Sequence, residues 1–413
     1  MNKPLNIVVG VAGGIAVYKA CGLVRFFKEL GHEVTVVPTP SALQFVGAAT
    51  FEALSGNRVS TTVFEAVDEV QHVRVGQEAD LVVIAPATAD LMARLVAGRA
   101  DDLLTATCLV ATCPIVVAPA MHTEMWWNPA TQHNVSVLRE RGITVLDPAH
   151  GRLTGKDSGP GRLPEPVQIG NLALTVAARG GFNRELAGKR VLITAGGTQE
   201  NVDPVRFLGN RSSGRQGFAL AEVAAQRGAH VTVIAGHTDF LETPCGAEVV
   251  RVVSAREMAE AVAQRAGGAD VIIMAAAVAD FRPASEASAK LKKGVNDSDL
   301  TTISLVENPD ILATTVQRRA AGEIGARVIV GFAAETGSAD QDPLELAKAK
   351  LQRKGCDLLM FNHVGHGKVF GQLDNSGWLL APDRAPREVP SGSKFEVADA
   401  IIDAIVDLTV LPS

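Results

Sequence analysis

No two cysteines in this chain are spaced as CxxC, and no histidine cluster offers metal-ligand spacing. Cys21, Cys108, Cys113, Cys245 and Cys356 are therefore expected as reduced, mostly buried thiols rather than a metal centre or a disulfide framework. No apolar run approaches the ~18 residues of a membrane-spanning helix. The N-terminus enters a strand-like run within a few residues, without a charged leader or an apolar signal core. Excess positive charge is lacking too. The formal net charge is −6, which argues against a general nucleic-acid binder and makes any phosphate recognition local. The expectation is a cytoplasmic protein with no nucleic-acid or membrane partner.

At 413 residues the chain exceeds what one hydrophobic core usually supports, so domains of roughly 180 and 220 residues are expected. A hydrophobic content of 47% with 39 glycines suits α/β layers with buried parallel strands. A strand, a glycine turn and a helix start occur at Ile7-Val-Val-Gly-Val-Ala-Gly-Gly-Ile-Ala-Val-Tyr-Lys19, and Val191-Leu-Ile-Thr-Ala-Gly-Gly-Thr198 repeats the strand and turn. Residues 181–188 read as a linker between domains 1–180 and 189–413. Glycines at the end of a parallel strand let a phosphate approach the backbone, and a following helix N-terminus favours negative charge there. Two such starts predict two separate sites.

In the first half, strand-like runs (Ile7–Val9, Glu33–Val37, Leu81–Ile84, Ile115–Ala118, Thr144–Leu146) alternate with helix-like stretches such as Ala20–Leu30, Ala89–Ala97 and Thr131–Arg141. This predicts a doubly wound parallel sheet with ligands over the carboxyl ends of its strands. Gly10, Gly13 and Gly14 miss the GxGxxG spacing. The second strand ends in Val37-Pro-Thr-Pro-Ser41, where a dinucleotide site usually places Asp or Glu for the ribose. Hydroxyls without a carboxylate suit a phosphate or a flavin mononucleotide better than NAD. Strand, turn and hydroxyl recur at Ala85-Pro-Ala-Thr-Ala-Asp90. Either its amides and Thr88 face the same ligand, or it is an ordinary strand-to-helix turn with Asp90 near a helix N-terminus.

Val70-Gln-His72, Ala85–Asp90, Ala118-Pro-Ala-Met-His-Thr-Glu-Met-Trp126 and Gly159-Pro-Gly-Arg-Leu163 together resemble the flavin-containing cysteine decarboxylases. Their order and spacing look most like the phosphopantothenoylcysteine decarboxylase half of the bifunctional coenzyme A biosynthesis family. The resemblance implies a flavodoxin-like domain holding FMN at Gly13, Gly14, Ile15, Thr39, Pro86, Ala87, Thr88 and Met121. It also implies oxidation of a cysteine moiety to a thioaldehyde, loss of CO2, and reduction of the enethiolate by the flavin. His72 matches the family's catalytic histidine, a sensible proton acceptor for the substrate thiol.

Two departures from the family stand out. His122 occupies the place of the signature asparagine that contacts the substrate carboxylate. The family's flap cysteine, which protonates the enethiolate, is missing: its place in Gly151–Arg162 is held by Gly155, and no cysteine lies between Cys113 and Cys245. The activity is lost, another group donates the proton, or the flap register differs. The favoured expectation is a substitute donor among His122, Lys156 and Asp157, with His122 serving both carboxylate binding and proton delivery. The flap's glycines and Pro160 suit a mobile lid.

In the second half, strands are expected at Val191–Thr194, Val231–Ala235, Val271–Met274, Val328–Phe332 and Leu358–Phe361, with helices at Ala219–Arg227, Ala255–Ala266 and Leu344–Lys354. Asp203-Pro-Val-Arg-Phe-Leu-Gly-Asn-Arg-Ser-Ser-Gly-Arg-Gln-Gly217 packs polar donors and glycines ahead of a helix, suited to an anion. Ala275-Ala-Ala-Val-Ala-Asp280-Phe-Arg-Pro283 ends a strand with small residues and then a carboxylate able to hold a divalent ion against phosphates. Lys290-Leu-Lys-Lys293 and Lys348, Lys350 and Lys354 gather cations. Taken singly, each is equally an ordinary loop, a buried strand end or a solvated helix face.

In this order, with Val330-Gly-Phe-Ala-Ala-Glu-Thr336, these runs resemble the phosphopantothenate–cysteine ligases. The resemblance implies that CTP activates the carboxylate of 4′-phosphopantothenate as an acyl-cytidylate, which the cysteine amine then attacks. By motif, Asn210 handles the acyl-cytidylate and Lys290 is the transition-state cation. Asp280 contacts Mg2+, while Ala276, Phe332, Lys350 and Lys354 join Asp280 and Lys290 around CTP. Arg206 and Arg211 are candidates for the substrate phosphate. Two Rossmann-like α/β domains in tandem follow, a flavin decarboxylase and then a nucleotide-binding ligase. The family also implies a large homo-oligomer of decarboxylase trimers joined by ligase dimers. The rivals are a ligase whose flavin domain is only a scaffold, a flavin-binding regulatory subunit, and an NAD-dependent dehydrogenase.

Overall fold

The computed structural model describes residues 3–61, 71–152, 158–291, 302–335, 343–363 and 374–410. The chain divides into two compact units, Met1–Asn183 and Arg184–Ser413.

The first unit is built on β1 (Asn6–Val11), β2 (Glu33–Pro38), β3 (Leu81–Ala87), β4 (Ile115–Pro119) and β5 (Thr144–Val145), in the order β2-β1-β3-β4-β5. Every neighbouring pair is parallel, which is the flavodoxin-like winding. Its helices are α1 (Val17–Glu29), α2 (Ala48–Ser55), α3 (Gln71–Glu78), α4 (Ala89–Val96), α5 (Leu103–Val110), α6 (Thr123–Trp126), α7 (Pro129–Glu140) and α8 (Pro166–Arg179). The central strand β3 is buried at every position, as expected of a strand covered on both faces. Helix α1 begins before the expected Ala20 because its N-cap is Ala16, which has no side chain to announce the start. An antiparallel hairpin, β6 (Ala149–Arg152) and β7 (Ser158–Arg162), stands apart from the main sheet.

The second unit contains β8 (Arg190–Ala195), β9 (Gln199–Asp203), β10 (Arg206–Gly209), β11 (His230–Ala235), β12 (Ala247–Arg251), β13 (Val271–Met274), β14 (Phe281–Pro283), β15 (Leu305–Glu307), β16 (Val328–Glu335), β17 (Leu358–His363), β18 (Asp374–Leu380) and β19 (Arg387–Ser393). Eight of them form one sheet, β12-β11-β8-β13-β16-β17-β18-β19. It is parallel through β17 and antiparallel at the β18–β19 edge. Its α-helices among the described residues are α9 (Arg215–Gln226), α10 (Ala255–Arg265), Ile311–Ala320, Pro343–Lys354 and Lys394–Val410. The strand-and-glycine start at Val191 does not run straight into a helix. An antiparallel pair, β9 and β10, intervenes before α9.

Part of the stretch read as a linker is built into this unit. Leu186 is buried and its N–H donates to Arg227 O at 3.0 Å. The Arg227 side chain is itself fully buried, bidentate on Glu185 at 3.0 and 3.1 Å and bonded to Asp399 and Asp403.

Candidate functional site

In the first unit the strand order reverses between β1 and β3, the place where an open α/β sheet receives ligands. Backbone bonds gather the strand ends there: Thr39 N–H to Val11 O at 2.8 Å, Ala12 N–H to Pro86 O at 3.0 Å and Ala120 N–H to Ala87 O at 2.9 Å. A Cβ on Gly13 would lie 2.4 Å from Ser41 Oγ, whereas one on Gly14 would meet only Thr88 Cγ2, at 3.9 Å. Gly13 thus serves the fit of the neighbouring turn, and Gly14 is the open position. Ile15 beside it is exposed. Thr39 is buried, its hydroxyl paired with Ser41 Oγ at 3.0 Å and accepting the Ala42 N–H, so Ser41 is the exposed hydroxyl of that turn. Thr88 caps α4 by accepting the Leu91 N–H at 3.2 Å, and Pro86 and Ala87 are buried behind it. An open glycine, two hydroxyls, an apolar rim and a nearby helix N-terminus fit a flavin and its phosphate.

His122 is the exposed N-cap residue of α6, with extended backbone and no capping bond of its own. The residues on either side of it are fastened to the β6–β7 hairpin. Met121 N–H donates to Gly161 O at 3.0 Å, and Thr123 Oγ1 donates to Pro160 O at 2.9 Å. Gly161 has φ +136°, and a Cβ there would lie 2.2 Å from Met121 O. Gly155, Lys156 and Asp157 lie outside the described residues. A latch that sequence reading missed ends the hairpin: buried Lys19 donates to Leu163 O and to Glu165 Oε1, both at 2.8 Å, and Arg162 joins the same carboxylate. His72 lies in the first turn of α3, and its Nδ1 is buried without a partner among the described residues.

In the second unit the strand order reverses between β8 and β13. Over the ends of these strands lies a cleft of about 390 Å3, lined by Gly197, Thr198, Asn210, Arg211, Ser212 and His237 among others. Asn210 Nδ2 donates to Val278 O at 3.1 Å, which joins the loop before α9 to the Ala275–Asp280 run. That run is held from three sides. Thr194 Oγ1 accepts the Ala276 N–H at 3.2 Å and Thr198 Oγ1 the Ala279 N–H at 2.9 Å. Asn308 donates through its backbone to Asp280 O at 2.8 Å and through its side chain to Ala279 O at 2.9 Å. The Asp280 side chain is left exposed. Among the described residues no group of three or more His, Cys, Asp or Glu could hold a metal. Asp280 offers a divalent ion one exposed carboxylate.

Phe332 is half-buried on β16. Lys350 and Lys354 are four residues apart on the helix Pro343–Lys354 and so share a face. The Lys354 ammonium is paired with Asp310, the N-cap of the helix Ile311–Ala320, whose carboxylate also accepts the Ala313 N–H at 3.0 Å. Burial pushes the Asp310 carboxyl up, but that amide and the two cations Lys354 and Arg353 pull it down further, so it ends below its ordinary value. Lys290 is exposed, while Lys292 and Lys293 lie outside the described residues. Arg211 is exposed at the cleft. Arg206 is engaged: its Nε and Nη2 both bond Asp203. Sequence reading passed over Thr194, Thr198, Asn308 and Asp310. Thr194 and Thr198 bracket the quoted glycine turn, and that placement was the available signal.

The flavoprotein family model matches residues 1–177, and the model of the DNA/pantothenate metabolism flavoprotein C-terminal domain matches residues 186–408. The chain is 60% identical over 405 residues to the Coenzyme A biosynthesis bifunctional protein CoaBC of Mycobacterium tuberculosis (strain ATCC 25618 / H37Rv), covering 98% of this chain and 96% of that protein. It is 41% identical over 406 residues to the protein of the same name from Vibrio vulnificus (strain YJ016), covering 98% of each. Among solved structures, the C-terminal domain of a coenzyme A biosynthesis bifunctional protein is 35% identical, covering 55% of this chain and 98% of that one, with a TM-score of 0.45.

Proposed function

Because the chain belongs to the family of coenzyme A biosynthesis bifunctional proteins, we propose that it performs two successive steps. The second unit ligates cysteine to 4′-phosphopantothenate with CTP, through an acyl-cytidylate. The first unit, with FMN, decarboxylates the resulting 4′-phosphopantothenoylcysteine to 4′-phosphopantetheine. The observation that carries this reading is that relatives named for both roles run the length of both units.

In the first unit Gly14, Ile15, Ser41, Thr88 and Met121 would hold the flavin, which when bound supplies a hydride acceptor and donor. His72 takes the substrate thiol proton. His122, exposed beside the anchored hairpin, meets the substrate carboxylate and returns a proton, because an imidazolium can do both. In the second unit Lys290 balances charge as pyrophosphate leaves, and the Asn210 amide donates to the acyl carbonyl. Asp280 touches the Mg2+ carried by CTP, while Ala276, Phe332, Lys350 and Lys354 border the nucleotide. Arg211 takes the substrate phosphate, and Arg206, which gives its Nε and Nη2 to Asp203, stands beside it as the second candidate.

Both units expose large apolar side chains, including Ile15, Tyr18 and Trp127 in the first and Phe207, Phe240 and Phe281 in the second. The family resemblance implies assembly into decarboxylase trimers joined by ligase dimers, and these side chains are available to such contacts. No described helix is long and apolar enough to cross a membrane, and we place the enzyme in the cytoplasm. The test is to supply phosphopantothenate, CTP, Mg2+ and cysteine and to follow both the amide and CO2. Amide that accumulates without CO2 leaves the ligase and makes the flavin unit a scaffold. Absence of both the amide and CO2 overturns the whole reading.

A further inference from the structure

We infer that Asp203 and Arg206 form a clamp that positions Lys290 by gripping the peptide groups of the residue next to it. The inference rests on the ligase reading of the second unit. Asp203 ends β9 and Arg206 begins β10. The Asp203 side chain is fully buried. Its Oδ1 accepts the N–H groups of Val205 and Arg206, each at 2.9 Å, which shapes the turn. Its Oδ2 accepts Arg206 Nε at 2.9 Å and, from far along the chain, the Leu291 N–H at 3.2 Å. Arg206 Nη2 then donates to Leu291 O at 2.8 Å. One ion pair thus holds both the N–H and the C=O of Leu291.

The grip is continued along the same segment, because Ala287 N–H donates to Val202 O at 3.0 Å. Ala289 and Lys290, in contrast, are exposed and present no apolar surface to the core. A lysine on so open a segment would sample a wide volume, and the charge it offers would reach the triphosphate only part of the time. Fixing the adjacent peptide removes backbone freedom and leaves only the side chain to be ordered. The Arg206 guanidinium and the Val205 and Leu291 amides outweigh burial and hold the Asp203 carboxyl well below the usual carboxylate range. The carboxylate therefore stays ionised around neutral pH and keeps its charge for Arg206. The clamp also accounts for Arg206, whose Nε and Nη2 are committed to it.

The experiment uses the full chain and the variants Asp203→Asn, Arg206→Gln, Lys290→Gln and Asp203→Asn with Lys290→Gln. Two readouts are taken, native-state hydrogen exchange at the Leu291 amide and pyrophosphate release from CTP and phosphopantothenate. In Asp203→Asn the Leu291 amide should exchange at least about tenfold faster. The kcat of pyrophosphate release should fall about 10–100-fold with the KM for CTP little changed. The double variant should be no slower than Lys290→Gln alone, since both changes remove one function. Unchanged Leu291 exchange, a loss carried by KM, or losses that multiply in the double variant would each overturn the clamp. If Asp203→Asn does not fold, Arg206→Gln carries the same comparison, because it leaves the Asp203 turn bonds in place. Wild-type protein that releases no pyrophosphate refutes the ligase reading instead, and the exchange measurement still decides whether the clamp exists.

Discussion

Replacing Gly161 with alanine should separate the two activities of the chain. The residue sits at φ +136°, a conformation in which an L side chain costs about 1–3 kcal/mol. Its new Cβ would lie 2.2 Å from Met121 O, where ordinary contact asks for about 3.5 Å, so the strand must retreat by about 1 Å. That retreat strains the bond from Met121 N–H to Gly161 O, 3.0 Å long, at a further cost of about 1 kcal/mol. A total of about 2–4 kcal/mol is more cheaply met by lifting the hairpin base than by unfolding the sheet. The displaced atoms flank His122, and a misplacement of about 1 Å near reacting groups can cost about 100-fold in rate. Full-length Gly161→Ala should therefore release CO2 from phosphopantothenoylcysteine about 100-fold more slowly. Its CTP-dependent amide formation, housed in the other unit, should stay at the wild-type rate and serve as the control for folding. Flavin absorbance per chain should be largely retained, because Gly14, Ile15, Ser41 and Thr88 are untouched and only Met121 shifts. Undiminished CO2 release, or equal losses in both activities, refutes the reasoning.

Arg227→Met should lower the stability of the second unit by about 3–5 kcal/mol, because it strands three carboxylates around a site emptied of its cation. A urea midpoint equal to wild type would contradict that. His122→Asn installs the residue that the decarboxylase resemblance implies there but removes the proposed proton donor, so decarboxylation should fall while substrate KM is kept; an unchanged rate removes His122 from the mechanism. Burial, with smaller contributions from the Asp102 charge and from Cys113, raises the Cys108 thiol from 9.0 to about 12. The folded state then keeps a proton that the unfolded chain gives up, so stability is complete below about pH 9 and declines above it by about 1.4 kcal/mol per unit. Cys108→Ala should flatten this alkaline decline in urea titrations between about pH 8 and pH 11, and parallel curves would disprove the assignment.

The parallel strands could be read because burial on both faces leaves an unbroken apolar run, as in Leu81–Ile84 and Val271–Met274. The β9–β10 pair could not. Its residues are largely polar, and its pairing shifts register between Arg206 and Phe207, so neither alternation nor an Asn-Gly turn marks it. The β18–β19 edge and the helix Lys394–Val410 were likewise unread, although that helix buries Val397, Ala398, Ile401, Ile402 and Ile405 on one face. Site residues carried by a motif were legible as types, but their partners were not. Asp203 and Arg206 are three apart, yet the peptide they hold is 88 and 85 residues away from them. Only the tertiary fold shows that part of the Arg206 guanidinium is given to Asp203 and Leu291. Which hydroxyl of Val37–Ser41 is exposed was not legible either, since the turn folds Thr39 inward and leaves Ser41 outside.

The two glycine turns that look alike in sequence do different physical work. In the first unit Gly14 faces open space and α1 begins at Val17, so a phosphate can reach free backbone at a helix start. In the second unit the glycines are used up by the protein itself. Gly196 has φ +76°, and a Cβ there would lie 2.4 Å from His237 O. Gly197 exchanges backbone bonds with His237, each 2.8 Å, and a Cβ on it would meet Asn210 O at 2.8 Å. These glycines therefore let three loops close on one another. The ligand is left to the cleft that the closure creates, lined by Asn210, Arg211 and Ser212. A phosphate cradle is one reason for glycine after a parallel strand; a junction of loops too tight for any Cβ is another. The second unit is the latter, so Gly197→Ala should displace Asn210 and slow the attack of cysteine on the acyl-cytidylate more than it weakens CTP binding. A variant that raised only the KM for CTP would place the triphosphate on the glycine turn after all.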